Sequence, residues 1–376
     1  MAVESADLNV ASSEDYTLPA RCFYDPAVFA RERERIFFRS WQLVAHRNEL
    51  REPGSFVTHE LLGQSIVVVA GRDGTLRAFH NVCQHRGNRL IAARRGKAAL
   101  FTCGYHAWSY ALDGCLKAAP NVAAVPGFDK SAFGLKPVKV EVFASFVFIN
   151  LDPDARPIAS MTAGAEAQIR RFIPDLDRLE LLEEVDVPVA ANWKVIQENS
   201  IEGYHFDYSG PVHKQLVKLI DFEGYRLEAH DRYWTYIGPP RQDVTHAYGV
   251  ALAGARWQTD WFFNIGLWPN ATLYAFPYSD VVGTFIMNPT GPETSLLRFG
   301  YYGVEGRELS DVTRACIRWM NEELGPEDIR LNVSNQKGLR SLGFDRGRYL
   351  IGPNLDNRSE HLVHHFHKLC HDAIQS

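Results

Sequence analysis

Residues 81–90 read NVCQHRGNRL, with a cysteine and a histidine two positions apart and arginines beside them. A thiolate and an imidazole at that spacing suit a metal, and equally suit two unrelated residues in a turn. A second pair decides between these readings. It stands in TCGYHAWSYALDG, residues 102–114, where Cys103 and His106 repeat the combination three apart. Two thiolates and two imidazoles fit a tetrahedral structural zinc. They also fit a [2Fe–2S] centre in which the thiolates hold one iron and the imidazoles the other. Zinc fingers take their cysteines from one hairpin and their histidines from one helix. Here each half supplies one of each, as two loops clasping a cluster from opposite sides would.

The surroundings agree. QSIVVVAG and TLRAFHNV read as strands leading into the first loop, and AALFTC leads into the second. WSYALDGCLK reads as a hairpin turning at Asp113-Gly114. Gly87 and Gly104 sit where backbone N–H groups can approach cluster sulfurs. The other cysteines, 22, 115, 316 and 370, have no partner in the pattern and read as small buried apolar residues.

The chain has 376 residues, 46% hydrophobic and 23% charged, with a formal net charge of -5. That balance suits a globular protein with a sizeable core and leaves no footprint for nucleic acid or anionic lipid. No window approaches eighteen uninterrupted apolar residues, so no membrane span is expected. The acidic opening MAVESADLNVASSEDY lacks an apolar signal core, which points to a cytoplasmic protein.

A cluster of this kind moves single electrons, and more than 250 residues follow Pro120. Within them, ANWKVIQENSIEGYHFDYSGPVHKQL (191–216) places Glu198, Glu202 and His205 at i, i+4 and i+7, on one face if the segment is one helix. His213 follows a Ser-Gly-Pro break. Two nearby histidines and one carboxylate make a facial triad for ferrous iron. NEELGPEDIRLNVSNQKGLRS (321–341) reads as a helix starting near Gly325-Pro326. Its first-turn acids Glu327 and Asp328 are either helix-dipole partners or the source of the third ligand.

On NVCQHRG, CGYHAWSYALDGCL, NWK…ENxxExYH…H and ED…NQKGLRS, the chain resembles the Rieske non-haem iron oxygenases, the ring-hydroxylating α subunits, from Tyr24 to the C-terminal helix. The resemblance implies an α+β fold. An antiparallel Rieske [2Fe–2S] domain at 40–155 would be inserted into a helix-grip-like catalytic domain, 1–39 and 156–376, whose large antiparallel sheet is covered by helices. It implies Cys83, His85, Cys103 and His106 as cluster ligands. His205, His213 and Asp328 would be Fe(II) ligands, Asn199 the asparagine beside the iron, and Glu202 the acid linking His106 of one subunit to His205 of the next. Gly104 and Ala107 stand where many relatives have proline and glycine. Most relatives have four or five residues between the two histidines; here 206–212 make seven, and Asp207 offers a rival oxygen.

The resemblance further implies a homotrimer without a β subunit, O2 as co-substrate, and electrons from NAD(P)H through a reductase, with or without a ferredoxin. An aromatic substrate is the leading expectation. A quaternary amine of the choline, betaine or carnitine type is the alternative, and a Rieske electron carrier with an inactive iron site is the reading from another class. Trp234, Trp257, Trp261, Phe263 and Trp268 are candidates for a substrate cavity. In SEHLVHHFHKLCHDAI, a Ser/Glu capping signal opens a helix with Leu362, Phe366, Leu369 and Ala373 as its apolar stripe. His364, His367 and His371 lie on a polar or interface face.

Overall fold

The structure, a computed structural model, describes residues 16–252 and 260–375. Trp257 and most of the acidic opening segment lie outside the described residues. The chain is α+β and divides into two compact units. One comprises Phe37–Ser160 with Asp177–Glu180. The other takes the residues before Phe37, then Met161–Leu176 and Leu181–Ser376.

The first unit is built on QSIVVVA. The strand Gln64–Ala70 is central in a seven-stranded sheet, ordered Gln42–His46, Phe146–Asn150, Pro137–Phe143, Leu76–His80, Gln64–Ala70, Ser55–Leu61, Arg95–Lys97. Side chains alternate across a strand, so Ile66, Val68 and Ala70 enter one apolar core while Val67 and Val69 enter another. That second core contains Cys83, Cys103, Trp108 and Tyr110. A three-stranded sheet, Phe101–Thr102, Ser109–Tyr110 and Leu116–Ala118, carries the second loop. Its hairpin turns at Asp113-Gly114 as expected, with Gly114 at φ 86° and the Asp113 carboxylate accepting from Cys115 N at 2.9 Å. Cys115 is exposed in this turn, against the buried reading; Cys22, Cys316 and Cys370 are buried.

The second unit holds a seven-stranded sheet ordered Leu179–Val189, Thr294–Val304, Val282–Gly291, Ala271–Ala275, Phe262–Leu267, Tyr233–Gly238, Arg226–Ala229. The register aligns Tyr236, Asn264, Tyr274 and Gly283 in one cross-strand row. Glycine is required at position 283, because a Cβ there would stand 1.9 Å from the Tyr274 ring. Helix Trp193–Ser200 packs on strand Val282–Gly291 and on helix Gly325–Gly338.

One expectation about helices is corrected and a second is refined. The segment 191–216 is not one helix: it breaks into Trp193–Ser200, a single tight turn Tyr204–Asp207, and Pro211–Val217. Gly203 and Gly210 fall between these pieces, and glycine disfavours helix continuation. The α-helix that carries Asp328 opens at Gly325 with Pro326 in its first turn, as expected, but it is not a free helix start. Helix Asp311–Trp319 runs through one wider π turn, Met320–Leu324, into Gly325–Gly338, and Leu324 and Gly325 are helical at φ/ψ -67/-53 and -56/-48. Pro326 therefore lies inside a continuous helix. The widened turn before it accommodates a residue that can neither donate nor tolerate an ordinary preceding turn.

The opening helix, Pro26–Arg35, is capped by Asp25, which accepts from Ala27 N at 2.8 Å, with Pro26 in its first turn. Its Glu32 is fully buried and accepts from Lys194 Nζ at 2.5 Å and from Trp193 Nε1 at 2.9 Å. A buried ion pair is costly to half-remove, since one charge is left without its partner. Lys194→Met is therefore expected to destabilise the protein by about 3–5 kcal/mol, and adding Glu32→Gln should recover part of that loss. Denaturant unfolding of the single and double variants checks this.

Candidate functional site

The two cluster loops have the same backbone design. In the first, Cys83 N donates to Asn88 O at 2.8 Å and Gly87 N donates to Cys83 O at 3.0 Å. In the second, Cys103 N donates to Trp108 O at 2.8 Å and Ala107 N donates to Cys103 O at 3.0 Å. Gly87 and Ala107 are twins, at φ 75° and 57°. The left-handed backbone that the loop demands explains why glycine suits that position. At Gly104 an added Cβ would meet nothing, so that departure is sterically neutral.

The loops bring the four predicted side chains together in two pairs. Cys83 and Cys103 are each 2% exposed and face one another. The rings of His85 and His106 lie 4.7 Å apart at their centroids, with His85 stacked on Trp108. Tyr110 Oη approaches Cys83 Sγ at 3.3 Å, and the N–H of Tyr105 points at Cys103 Sγ at 3.5 Å. Burial pushes the Cys103 thiol up, but N–H groups of Tyr105 and His106, with Cys83 and Asn88, outweigh it and leave it below the ordinary value. Donors aimed at sulfur stabilise thiolate. Buried thiols and outward imidazoles suit an asymmetric cluster whose inner iron takes sulfur and outer iron takes nitrogen.

In the second unit, His205, His213 and Asp328 each offer a ligand atom, all within 4.8 Å of one another. His205 Nε2 and His213 Nε2 stand 3.7 and 3.2 Å from Asp328 Oδ1. The opposite ring nitrogens are taken by other carboxylates: His205 Nδ1 meets Glu202, and His213 Nδ1 meets Glu327 Oε1 at 2.7 Å. A carboxylate can only accept, so both Nδ1 atoms carry the proton and both Nε2 atoms present lone pairs. Asp328 Oδ1 is buried and makes no hydrogen bond. Three electron-pair donors therefore converge with nothing between them to attract. That is the donor chemistry of a bound cation, and two nitrogens with one oxygen suit ferrous iron. Burial lowers the His213 pKa, but with no cation bound Asp328 and Glu327 outweigh it and favour the charged form of His213, a role that a cation at Nε2 would take over.

Glu327 was not anticipated as a site residue. Its carboxylate also accepts from His213 N at 3.0 Å and Val212 N at 3.4 Å, closing the start of helix Pro211–Val217. Asp207, the rival oxygen, pairs instead with Arg358 at 2.8 Å. Glu198 does not share a face with Glu202 and His205. It accepts from His367 Nε2 at 2.7 Å, while His367 Nδ1 meets Tyr349 Oη at 2.7 Å. His367 is thus fully buried rather than part of a polar face.

The triad opens into a cavity of about 120 Å³, and Asn199 lines it. The proposed wall of tryptophans is absent among the described residues. Phe262, Asn264, Tyr236 and Thr272 line the cavity, whereas Trp234 and Trp268 pack on Phe366, and Phe263 and Trp261 on Phe172. Phe263 is one residue out of phase with the inward-facing Phe262, and a one-residue offset on a strand reverses the face. Glu327→Gln is expected to weaken Fe(II) retention at the triad by about 10- to 100-fold and to leave the cluster's iron and sulfide unchanged. Chelator competition followed by iron analysis measures both.

Comparison with known proteins places these features. Residues 40–129 match the Rieske [2Fe-2S] domain, and 176–376 match the ring hydroxylating alpha subunit (catalytic domain). The chain is 36% identical to the carnitine monooxygenase oxygenase subunit of Escherichia coli (strain K12), over 95% of this chain and 93% of that one. It is 27% identical to the chloroplastic choline monooxygenase of Spinacia oleracea, over 97% of this chain and 80% of that one. The crystal structure of the quaternary ammonium Rieske monooxygenase CntA with L-carnitine superposes with a TM-score of 0.85 at 32% identity, covering 95% of each chain. Naphthalene 1,2-dioxygenase from Rhodococcus shares the fold, with a TM-score of 0.80 at 19% identity over 96% of this chain and 95% of that one. Two family matches and a full-length relative, on a chain whose two loops and three-donor site have the required chemistry, make this protein a Rieske non-haem iron oxygenase of the ring-hydroxylating α-subunit family.

Proposed function

We propose that this chain is the oxygenase component of a multicomponent system that mono-oxygenates a quaternary ammonium compound, with hydroxylation or N-demethylation as the outcome. One observation carries the reading: the three-donor site opens into a cavity walled by Phe206, Tyr236, Phe262, Phe276, Phe285 and Phe299. Ring faces attract an ammonium group, most strongly where water is excluded. No cationic side chain lines the cavity among the described residues, while Asp328, Glu327 and Glu202 gather at its metal end. An aromatic carboxylate would bring a negative charge into that surrounding. A cation would not, and a zwitterion would bring a balancing ammonium with its carboxylate. The relatives named for carnitine and choline support the same class, and the quaternary amine therefore replaces the aromatic substrate as the preferred reading. An electron carrier has no use for the converging donors or for the cavity.

In this proposal His205, His213 and Asp328 hold Fe(II) through Nε2, Nε2 and Oδ1. Cys83, Cys103, His85 and His106 hold the cluster. When bound, these groups supply O2 activation and single-electron transfer, respectively. Asn199 contributes to the cavity wall beside the donors. Glu202 keeps the proton of His205 at Nδ1, and its side chain is 13% exposed, so part of it remains open to a further partner. We assign that partner as His106 of a neighbouring copy. Exposed Tyr204 and Tyr208 flank Glu202, and exposed Tyr105 adjoins His106. These apolar surfaces are of the kind that copies cover when they associate. A homotrimer of α chains alone would close such contacts in a ring. A reductase, directly or through a ferredoxin, would bring electrons from NAD(P)H in the cytoplasm.

Reconstitution with a reductase and NAD(P)H should show O2 uptake coupled to product with quaternary amines and not with aromatic acids. Glu202→Gln should keep three irons' worth of ligands and lower coupled turnover by about 10- to 100-fold. Uptake with aromatic acids alone would overturn the substrate assignment, and undiminished coupling in Glu202→Gln would overturn the bridge.

A further inference from the structure

The sheet that floors the cavity is not uniformly apolar. Asn264 is 4% exposed and Thr272 is 1% exposed, and both line the cavity. They come from adjacent central strands, Phe262–Leu267 and Ala271–Ala275. Asn264 lies opposite Tyr236 on one side and Tyr274 on the other, and Thr272 lies opposite Gly266. Gly266 keeps its place free of a Cβ that would stand 2.0 Å from Trp234 Nε1. Asn264 Nδ2 makes no hydrogen bond in the protein. The Thr272 hydroxyl lies within hydrogen-bonding reach of the Tyr236 phenol.

A buried amide N–H without a partner is expensive, and native proteins keep few of them. A leucine at 264 and a valine at 272 would fill similar space in an aromatic cavity at no such cost. The amide nitrogen can only donate, and the threonine hydroxyl can donate as well. The pair is therefore complementary to an oxygen acceptor. Rigid strands hold both groups, so the acceptor is met by a preformed site rather than a mobile loop.

We propose that Asn264 and Thr272 form a specificity subsite that donates hydrogen bonds to an oxygen on the substrate's end remote from its ammonium group. This deepens the quaternary ammonium reading and rests on it. The acceptor is a hydroxyl or the carboxylate of a zwitterion, and the aromatic wall takes the methylated nitrogen. A site built around a hydrogen bond rejects the analogue that lacks it, because its own buried donors are then left unpaired. The subsite thereby separates oxygen-bearing ammonium compounds from their alkyl counterparts, which ring faces alone cannot do.

Anaerobic titration calorimetry on the metal-loaded protein tests this without turnover. The probes are choline, glycine betaine, carnitine and propyltrimethylammonium, the last being choline with its hydroxyl replaced by methyl. The wild type should bind at least one oxygen-bearing probe about tenfold or more tightly than propyltrimethylammonium. Asn264→Leu and Thr272→Val should each erase most of that preference while propyltrimethylammonium binds as tightly as before or more tightly, which also shows that the fold survives. Loss confined to choline identifies a hydroxyl site, and loss confined to betaine and carnitine a carboxylate site. Equal binding of all probes by the wild type, or a preference that survives both substitutions, overturns the subsite. Failure of every ammonium probe to bind overturns the substrate class itself.

Discussion

Three candidate donor atoms, His205 Nε2, His213 Nε2 and Asp328 Oδ1, converge in a largely buried space, all within 4.8 Å of one another. The catalytic unit is organised to hold this arrangement. Glu202 and Glu327 occupy the far nitrogen of each ring and so fix which nitrogen faces inward. Asp328 and Glu327 are neighbours in sequence, and one helical turn thus supplies both an inner oxygen and the support for an imidazole. Placing them there requires a helix that is already formed when it reaches Pro326. The continuous run from Asp311, widened by one π turn, provides it.

The seven residues between the histidines are accommodated by structure rather than by slack. A tight turn at Tyr204–Asp207 is followed by Ser209 N donating to His205 O at 2.8 Å, and then by a new helix at Pro211. Gly210 lies so close to Glu327 that a Cβ would stand 2.1 Å from its Oε2. The missing side chain allows Glu327 to reach the backbone of Val212 and His213. Behind these pieces, the Glu32–Lys194 pair fixes the helix that precedes the turn. The Glu198–His367–Tyr349 chain ties the same helix to the C-terminal one.

Legibility in the sequence followed the range of the interactions. The cluster loops were readable because their two Cys–His pairs, two turns and flanking strands lie within 64–118 and repeat one local design. The opening helix and the Asp113-Gly114 hairpin were readable for the same reason. The three converging donors were readable as a set of residues by resemblance, but not in their mechanics. Periodicity placed Glu198 beside Glu202 and His205, yet the helix ends at Ser200 and Glu198 turns to His367, 169 positions away. Gly-Pro at 325–326 opens the α-helix as read, and nothing local announces the π turn that joins it to the helix before it. Aromatic-rich strands do not announce which face is inward, so Phe263 and the tryptophans were assigned to a cavity that Phe262, Tyr236 and Asn264 line. Glu327 had a sequence signal, an acid adjacent to a ligand, which dipole stabilisation explained equally well.

The central claim is that His213 completes the donor set despite the longer loop. It is tested most directly by counting iron and acid-labile sulfide per chain in anaerobically purified wild type and His213→Ala. The account predicts three irons and two sulfides in the wild type, and two of each in the variant, where the cluster remains and the triad's iron is lost. Two irons in both proteins after incubation with Fe(II), or three in both, would contradict it.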